Sequence, residues 1–417
     1  MATLIAPPLS LYLHFPWCVR KCPYCDFNSY TLNGALAQGP YLDRLGRDLA
    51  AQAPTVSGRT IASVFLGGGT PSLFSPRSIE RVLALARRHF GLASDAEVTL
   101  EANPGTIERG VFAEYRAAGV NRVSLGAQSF DAATLAALGR IHSPQETRLA
   151  AQELHAAGLE NFNIDLMYAL PGQDAAAALR DVEEALALKP AHLSHYQLTL
   201  EPGTVFAALP PVLPDDDAAA LMLVGCTERL ARGGFAQYEV SAYARPGRQC
   251  RHNLNYWNFG DYVGAGAGAH GKITQAGEGS IERTLQPREP RRYLAAEDGQ
   301  LGRRRVPAAE LPFEFMLNAL RLTCGFARAD FTQRTGLSWD TIAAPIQAAV
   351  ERGLILDSGA WVRPTPLGMR FLNETLLLFM AEKGERTGES ALSTTLPGAP
   401  GDTLRPLFTG AQGVDAE

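Results

Sequence analysis

The chain has 417 residues, of which 46% are hydrophobic and 19% are charged, and its formal net charge is −5. The apolar content is enough for a large core, and the length predicts two or three domains. The acidic balance gives no global basic field that would favour nucleic acid as a partner. The start of the chain lacks the features of a secretory signal, and no run of about 18 apolar residues predicts a transmembrane helix. The sequence therefore predicts a cytoplasmic protein with reduced thiols and at most a peripheral contact with a membrane.

Strand and helix patterns alternate from Ser10 to Leu200. The predicted strands are short apolar runs that end in polar residues or glycine: Leu11–Pro16, Val64–Gly68, Glu97–Asn103, Arg122–Gln128, Phe162–Ala169 and His192–Leu200. The helices predicted between them are Pro40–Gln52, Pro76–Phe90, Ile107–Ala118, Pro144–Ala157 and Asp174–Leu188. This alternation predicts an α/β fold with a parallel sheet. Right-handed crossovers would curl six such units into a barrel or a partial barrel.

The loop after the first predicted strand carries Cys18, Cys22 and Cys25, spaced C-x3-C-x2-C. Cysteine thiolates hold iron–sulfur clusters, and four ligands complete a [4Fe–4S] site. Three thiolates would therefore leave one iron open to another ligand. The alternatives are a zinc site or structural thiols. Zinc sites usually pair two such short motifs, and the sequence has no second cysteine pair, so the spacing favours a cluster.

Glycine and polar residues stand near the carboxyl ends of the next predicted strands, where parallel α/β folds bind ligands. They are Gly67, Gly68, Gly69, Thr70, Glu101, Gln128 and Asp165, with Arg140 beyond the fourth strand. Glycines let the backbone approach a ligand closely, and carboxylates and an amide bind ribose hydroxyls or an ammonium group. Any one of these residues is as often a simple strand end, but the whole set predicts a ligand site.

The cysteine spacing, with Tyr24 before the third cysteine, resembles the signature of the radical S-adenosylmethionine (SAM) superfamily. The segment Gly67–Pro71 resembles the superfamily motif that contacts the SAM amino group. Further segments resemble one subfamily, the oxygen-independent coproporphyrinogen III oxidases and their relatives: Tyr12–Pro16, Leu100–Pro104, Gly126–Phe130, Asn163–Tyr168 and Leu170–Gly172. The resemblance extends to about Asn373.

This resemblance implies an open six-unit (β/α) partial barrel in which Cys18, Cys22 and Cys25 hold a [4Fe–4S] cluster. In the superfamily, SAM chelates the fourth iron, and the cluster, once reduced by an electron donor, cleaves SAM. The positions that match the family's SAM contacts are Tyr12, Gly68, Gly69, Thr70, Glu101, Gln128, Arg140 and Asp165.

Two features select a branch within the subfamily. The decarboxylating oxidases have a fourth cysteine two residues after the third, and this chain has Phe27 there, followed by Asn28-Ser29-Tyr30. The segment His252–Trp257 matches the H-N-x-x-Y-W pattern of the HemW-type haem chaperones. The resemblance therefore implies a protein that binds haem as cargo and passes it to apo-haem proteins.

The same motif supplies the candidate haem contacts His252, Asn253, Tyr256 and Trp257. Neutral imidazole is a common axial ligand of haem iron, and the two aromatic rings would give a flat wall. A structural loop with a bonded histidine is the alternative, and a lone histidine is more often structural. Cys250 and His270 are two further candidate iron ligands.

The rest of the chain gives weaker signals. The glycine-rich stretch Tyr262–Gly271 predicts a compact turn rather than a dinucleotide site, and residues 277–305 predict a polar connector. Residues 306–382 predict a small winged-helix-like domain, with helices Phe313–Leu322, Ala329–Thr335, Ile342–Arg352 and Leu367–Met380 and a strand Trp361–Thr365. The composition of residues 383–417 predicts disorder. The expected division is 1–305, 306–382 and 383–417.

Three functions remain open to the sequence. The first is a haem chaperone with a SAM-binding [4Fe–4S] cluster and no assigned catalytic residue. The second is anaerobic coproporphyrinogen III oxidation, in which two propionates become vinyl groups. The third, a winged-helix protein that binds nucleic acid, is opposed by the overall acidity and by the absence of a basic recognition helix.

Overall fold

One sheet of twelve strands organises the described part of this computed structural model, residues 3–106, 110–297 and 301–380. Its six central strands are parallel and neighbour one another in chain order. They are β1 (Leu9–Phe15), β2 (Ile61–Gly68), β3 (Leu92–Ala102), β4 (Arg122–Gln128), β5 (Phe162–Tyr168) and β6 (His192–Gln197). The six predicted strand–helix units are confirmed.

Helices cover the outer face of these strands, because alternate strand residues are apolar and point toward them. Leu11, Leu13, Val64 and Leu66 belong to the main buried cluster on this side. The helices are α1 (Gln38–Gln52), α2 (Pro76–Phe90), α3 (Val111–Ala118), α4 (Ala132–Ala137), α5 (Pro144–Ala156) and α6 (Ala175–Ala187). The first predicted residues of α3, 107–109, lie outside the described residues.

The inner face of the barrel is polar. Ser10 Oγ lies 2.8 Å from Ser63 Oγ, and Asn163 Nδ2 donates to Ser124 Oγ at 2.7 Å. His192 Nδ1 lies 2.6 Å from Asn163 Oδ1. Buried polar groups are tolerated only where they are bonded or where a ligand completes them. This inner face is therefore where a site is expected.

An extension follows the barrel and adds strands to both edges of the six-stranded parallel sheet. It contains α7 (Val205–Ala208), α8 (Asp216–Arg232), β7 (Ala236–Glu239), β8 (Ala242–Ala244), α9 (Arg251–Trp257), β9 (Asp261–Ala265), β10 (His270–Gln275), β11 (Ser280–Leu285), α10 (Pro290–Ala295) and β12 (Gly302–Arg305). The strand order is β12-β11-β10-β9-β1-β2-β3-β4-β5-β6-β8-β7. Strand β9 pairs with β1 in parallel, and β8 pairs with β6 in the antiparallel sense.

The predicted compact turn over Tyr262–Gly271 is present but shorter: it covers residues 266–269, where Ala269 N donates to the Gly266 carbonyl at 3.0 Å, and the rest of the stretch is strand, β9 and the start of β10. Its glycines allow the neighbouring strands to pack closely. A Cβ atom at Gly264 would lie 1.8 Å from the His270 carbonyl oxygen, and one at Gly266, whose φ is +105°, would lie 2.4 Å from the His14 carbonyl oxygen. Only glycine fits between these backbones.

The predicted polar connector over 277–305 is wrong, since it contains β11, α10 and β12. Arg303, Arg304 and Arg305 lie on β12, an exposed edge strand, where ion pairs replace a hydrophobic pattern. Arg303 Nη1 lies 3.1 Å from Glu282 Oε2, and Arg304 Nη1 lies 2.7 Å from Glu310 Oε2. Charged side chains on an edge strand prevent it from pairing with other chains. Because they also remove the alternating apolar pattern, such a strand is not predicted from the sequence.

The C-terminal part packs on a second buried cluster of apolar side chains, including Phe315, Phe326 and Phe331, which Leu4, Phe259 and Ile281 also join. Its elements are α11 (Leu311–Ala319), β13 (Phe326–Ala327), α12 (Arg328–Thr335), α13 (Asp340–Glu351), β14 (Ile355–Asp357), β15 (Trp361–Pro364), α14 (Pro366–Arg370) and α15 (Leu372–Leu377). The strands form a sheet in the order β13-β15-β14. The single helix predicted over Leu367–Met380 is two helices, which meet at Phe371.

Two further predictions concern the last residues of the chain and membrane-spanning helices. The predicted disorder of residues 383–417 falls outside the described residues. Among the residues that are described, none belongs to a helix long and apolar enough to cross a membrane.

Candidate functional site

A cavity of about 290 Å³ runs along the inner face of the barrel. The three cysteines of the loop after β1 line it, and so do seven of the eight predicted SAM contacts: Gly68, Gly69, Thr70, Glu101, Gln128, Arg140 and Asp165. The eighth, Tyr12, is only 6% exposed and packs behind the lining against Phe65, with its hydroxyl 2.9 Å from His14 Nδ1. The structure thus brings together residues that are up to 147 positions apart, from Cys18 to Asp165.

The cysteine loop is held by the backbone around it. Gly69 N donates to the Phe15 carbonyl at 2.7 Å and Thr70 N to the Trp17 carbonyl at 2.8 Å, so the segment after β2 is fastened to the start of the loop. Lys21 Nζ donates to the Phe27 and Ser29 carbonyls at 2.9 and 3.0 Å. These contacts fix the loop at the mouth of the cavity.

The three loop thiols are free and partly exposed. Burial raises the pKa of the Cys25 thiol to about 11 and also raises that of Cys18. A thiol with a raised pKa needs a metal or a cation to hold it as the thiolate. The described residues contain no group of three or more His, Cys, Asp or Glu side chains placed to share a single metal ion. A cluster in which each iron takes one thiolate matches three thiols on one wall better than a zinc ion does.

Arg140 is the cation beside this loop. Its Nη1 lies 3.8 Å from Cys22 Sγ, and its Nη2 donates to the Gly126 carbonyl at 2.7 Å. Its Nε is buried and has no hydrogen-bond partner among the described residues. A buried donor without a partner costs free energy on the order of 1–3 kcal/mol unless a ligand completes it. Arg140 therefore fits an anionic group, such as a carboxylate, next to the thiols.

Glu101 supplies the opposite charge. Its Oε2 accepts a hydrogen bond from Gly68 N at 3.0 Å. Burial, and then the neighbouring Asp165 carboxylate, raise the pKa of Glu101 to about 8. Among the described residues, no cation lies within ion-pair distance of this carboxylate. A buried carboxylate in this state fits a ligand that brings a positive charge, and SAM carries both an ammonium and a sulfonium.

Asp165 lies deeper in the cavity on β5. Its oxygens accept from Asn163 Nδ2 at 2.7 Å and from Ser124 Oγ at 3.1 Å. Burial raises its pKa, although these hydrogen bonds and the Arg122 charge act in the opposite direction. A carboxylate oriented in this way can accept hydrogen bonds from two hydroxyls of a ligand.

Backbone geometry adds two further constraints. A Cβ at Gly68 would lie 2.4 Å from the His14 ring, and a Cβ at Gly69 would lie 2.6 Å from the Trp17 carbonyl oxygen. Gln128 ends β4 with a φ of +70°, and Tyr196 OH donates to its Oε1 at 2.7 Å. A non-glycine residue in the left-handed region stores strain, and such strain is concentrated at functional sites.

The H-N-x-x-Y-W motif forms α9, which packs under the amino ends of the barrel strands. His252 is 0% exposed, and both of its ring nitrogens are engaged: Nδ1 lies 3.0 Å from Ser63 Oγ and Nε2 lies 3.0 Å from Tyr256 OH. Burial and the Arg122 charge lower its pKa to about 3. Glu97 Oε1 accepts from the backbone N–H of Arg251 at 2.8 Å and of His252 at 3.3 Å, which caps the helix.

The four predicted haem contacts on α9 do not gather around one opening. Only Asn253 lines the cavity. Tyr256 and Trp257 are 4% and 1% exposed, and the Arg321 guanidinium lies 4.3 Å from the centre of the Trp257 ring. An axial ligand needs a free nitrogen lone pair, so in this conformation His252 would bind iron only after losing its contact with Tyr256 or with Ser63.

Several lining residues escaped the sequence analysis, among them Arg122 and Tyr196. Arg122 opens β4, is 2% exposed, and has an Nε without a partner among the described residues. Tyr196 on β6 orients Gln128. The signal for both is their inward register on predicted strands, since a polar residue at an inward position of a buried parallel strand needs an explanation.

Comparison with known proteins agrees with this geometry. The chain matches the family model of the radical SAM superfamily over residues 12–188 and that of the HemN C-terminal domain over residues 306–371. It is similar in fold to coproporphyrinogen III oxidase (HemN) from Escherichia coli, described as a radical SAM enzyme, with a TM-score of 0.76, 23% identity and 90% of each chain covered.

Sequence relatives are closer. "Heme chaperone HemW" of Escherichia coli K12 is 48% identical over 90% of this chain and 99% of its own length, and that of Haemophilus influenzae is 44% identical with the same coverage. The mitochondrial "Radical S-adenosyl methionine domain-containing protein 1" of Bos taurus is 37% identical over 90% of this chain and 88% of its own. The resemblance found in the motifs is confirmed: this chain belongs to the HemW family of haem chaperones in the radical SAM superfamily.

Proposed function

We propose that this protein is a haem chaperone that carries a SAM-binding [4Fe–4S] cluster, takes up haem and delivers it to apo-haem proteins. The observation that carries the proposal is the shared cavity of three thiols, Arg140, Glu101 and Asp165 in a chain of the HemW family. Relatives are named as haem chaperones, and the cavity would hold the cluster and SAM that the superfamily implies.

Cys18, Cys22 and Cys25 would hold the cluster. Once an electron donor has reduced it, the cluster would supply one electron to SAM. Arg140 would meet the carboxylate of SAM, and Glu101 its positive charge, since among the described residues Arg140 Nε has no acceptor and Glu101 has no cation within ion-pair distance. Asp165 would accept from the ribose hydroxyls. Gly68, Gly69 and Thr70 would let the backbone lie against the ligand, and Gln128 would border the adenine side.

The prediction that His252 is the haem ligand stays a prediction, and it requires that α9 opens. Asn253 is the motif residue that already reaches the cavity. The division at residues 305 and 382 and the cytoplasmic location also stay predictions from the sequence.

The enzymatic alternative, oxidation of coproporphyrinogen III, is not favoured. Phe27 stands where the oxidases carry their additional cysteine, and its side chain is 37% exposed at the cavity lining. A bulky aromatic group there changes the shape and chemistry of the space in which a porphyrinogen would meet SAM.

Paired anaerobic assays test the proposal. In one, reconstituted protein loaded with haem is mixed with an apo-haem protein, and transfer is followed by absorbance against free haem as the control. In the other, coproporphyrinogen III, SAM and a reductant are supplied. We expect transfer in the first assay and no protoporphyrinogen in the second. Protoporphyrinogen formation with consumption of SAM would replace the chaperone assignment with the oxidase.

A further inference from the structure

His270, at the start of β10, has the properties that His252 lacks. Its side chain is partly exposed, whereas His252 is fully buried. Within residues 3–106, 110–297 and 301–380, no hydrogen bond engages either nitrogen of the His270 ring. Burial and the charges of Arg283, Arg288 and His14 lower its pKa to about 4. The ring is therefore neutral near pH 7 and has a lone pair available for a metal.

Apolar surface lies beside His270. The backbone of His270 packs directly on Gly264 of β9, where a Cβ would lie 1.8 Å from the His270 carbonyl oxygen, so the strand that carries the ring is held in place. Across β10, Leu285 of β11 pairs directly with His270 and is 41% exposed. Directly paired residues of antiparallel strands project from the same face. An exposed leucine thus lies beside the imidazole, where it can pack on a macrocycle.

A free cation stands next to this face. The backbone pairs Gln286 N to Ala269 O at 2.9 Å and Gly268 N to Pro287 O at 2.8 Å hold the segment after β11 against the turn before His270. Arg288 follows on this segment and is exposed. In the described part of the chain no ion pair engages its guanidinium. Guanidinium groups form strong paired hydrogen bonds with carboxylates.

The same face adjoins the cluster loop. Asn28 Nδ2 donates to the Ala267 carbonyl and to the Arg288 carbonyl, each at 2.9 Å, and His14 Nε2 lies 2.9 Å from the Asn28 carbonyl. A ligand at His270 would therefore lie beside the loop of the three cysteines without entering the cavity assigned to SAM.

We infer that His270 is the axial ligand of the haem iron and that Arg288 binds a haem propionate, on the sheet extension beside the cluster loop. The inference rests on the proposed function, since it names the residues that hold its cargo. Leu285 would contribute the apolar contact, and His252 would have a structural role instead.

Titration of the full chain with ferric haem, followed through the Soret band, tests this assignment. We expect His270→Ala and His270→Asn to shift or remove the band and to weaken binding by about tenfold or more, with thermal unfolding close to wild type. Arg288→Ala should weaken binding by a smaller factor and leave the band position unchanged. His89→Ala, which removes another partly exposed histidine on α2, is the matched control and should bind as wild type.

His252→Ala separates the two candidate ligands. We expect it to keep the wild-type Soret position while lowering the unfolding temperature. Wild-type binding by both His270 variants would overturn the inference, and so would loss of the band in His252→Ala with unchanged unfolding. Absence of haem binding by the wild-type chain would instead refute the proposed function.

Discussion

The two ends of the barrel differ in whether their buried polar groups have hydrogen-bond or ion-pair partners. At the carboxyl end, Glu101 lacks a cation and Arg140 Nε lacks an acceptor among the described residues. At the amino end, His252 and Glu97 are engaged by Ser63, Tyr256 and the backbone of α9. Because an incomplete buried polar group costs free energy, it persists where a ligand completes it. The comparison assigns ligand binding to the first end and stability to the second.

Two residues at the amino end depart from this pattern. Arg122 Nε has no hydrogen-bond partner among the described residues, but Arg122 lines the cavity. The Trp257 indole N–H has no hydrogen-bond partner among the described residues. Its ring is instead covered by the Arg321 guanidinium, which also forms an ion pair with Glu239 at 2.9 Å. Packing and the cation–π contact hold this side chain, so it still belongs to the end that stabilises the fold.

The largest effect is expected at the carboxyl end. Replacing Cys18, Cys22 and Cys25 with serine should remove the cluster, since a hydroxyl does not replace a thiolate as an iron ligand. Iron analysis after anaerobic reconstitution should fall from about four irons per chain to almost none. Cys324→Ser, which alters an exposed free thiol, should keep its iron. Unchanged iron in the triple variant would refute the assignment of the loop.

The amino end should respond through stability. Trp257→Ala should lower the free energy of unfolding by about 3–5 kcal/mol, because it leaves a large cavity and an uncovered guanidinium. Urea unfolding measures this loss. Trp361→Ala, at a tryptophan that is 44% exposed, is the control and should cost less. If Trp257→Ala unfolded like wild type but lost SAM affinity, the division between the two ends would be wrong.

Within the cavity, Asp165→Ala should weaken SAM binding by about tenfold or more, because charged hydrogen bonds contribute roughly 1.5–3 kcal/mol each. Calorimetry on reconstituted protein measures the affinity, and Asp43→Ala on the exposed face of α1 is the control. The free energy of unfolding should also fall, by about 1–3 kcal/mol, because Ser124 Oγ and Asn163 Nδ2 lose a buried acceptor, so the affinity is compared on folded protein. Wild-type SAM affinity would exclude Asp165 from the site.

The smallest effect concerns pH. With a pKa of about 8, Glu101 is mostly neutral at pH 7 and must lose a proton to pair with a cationic ligand. SAM affinity should therefore rise about fivefold between pH 7 and 8 and then level off. The raised pKa of Glu101 also affects folding. Its contribution to the free energy of unfolding is fully present at pH values below the carboxyl pKa of the unfolded chain and is lost as the pH rises through about 8. Glu101→Gln should abolish both dependences, and a pH-independent wild-type affinity would contradict them.

Much of the fold and of the cavity followed from local sequence signals. The six parallel strands were predicted because each combines an apolar run with a polar or glycine end, and the cysteine spacing marked the loop. The position of α9 could not be predicted, because it depends on partners far away in sequence: Ser63 is 189 residues from His252, and Glu97 is 155 residues from it.

Strands β9 to β12 were missed for a related reason. Glycines at Gly264 and Gly266 and charges such as Arg303 and Arg304 look like turn and loop signals in isolation. They become interpretable only once the neighbouring backbones of His14 and His270 and the partner carboxylates are known. Tertiary packing, rather than local propensity, decides these strands.

Electron paramagnetic resonance of the reduced, reconstituted protein tests the central claim most directly, because it reports on the ligands of the cluster itself. If three cysteines leave one iron for SAM, the spectrum of the wild-type chain should change on addition of SAM. Asp165→Ala should require about tenfold more SAM for the same change, and Trp257→Ala, wherever it remains folded, should respond as wild type. A wild-type spectrum that is unaffected by saturating SAM would contradict the account.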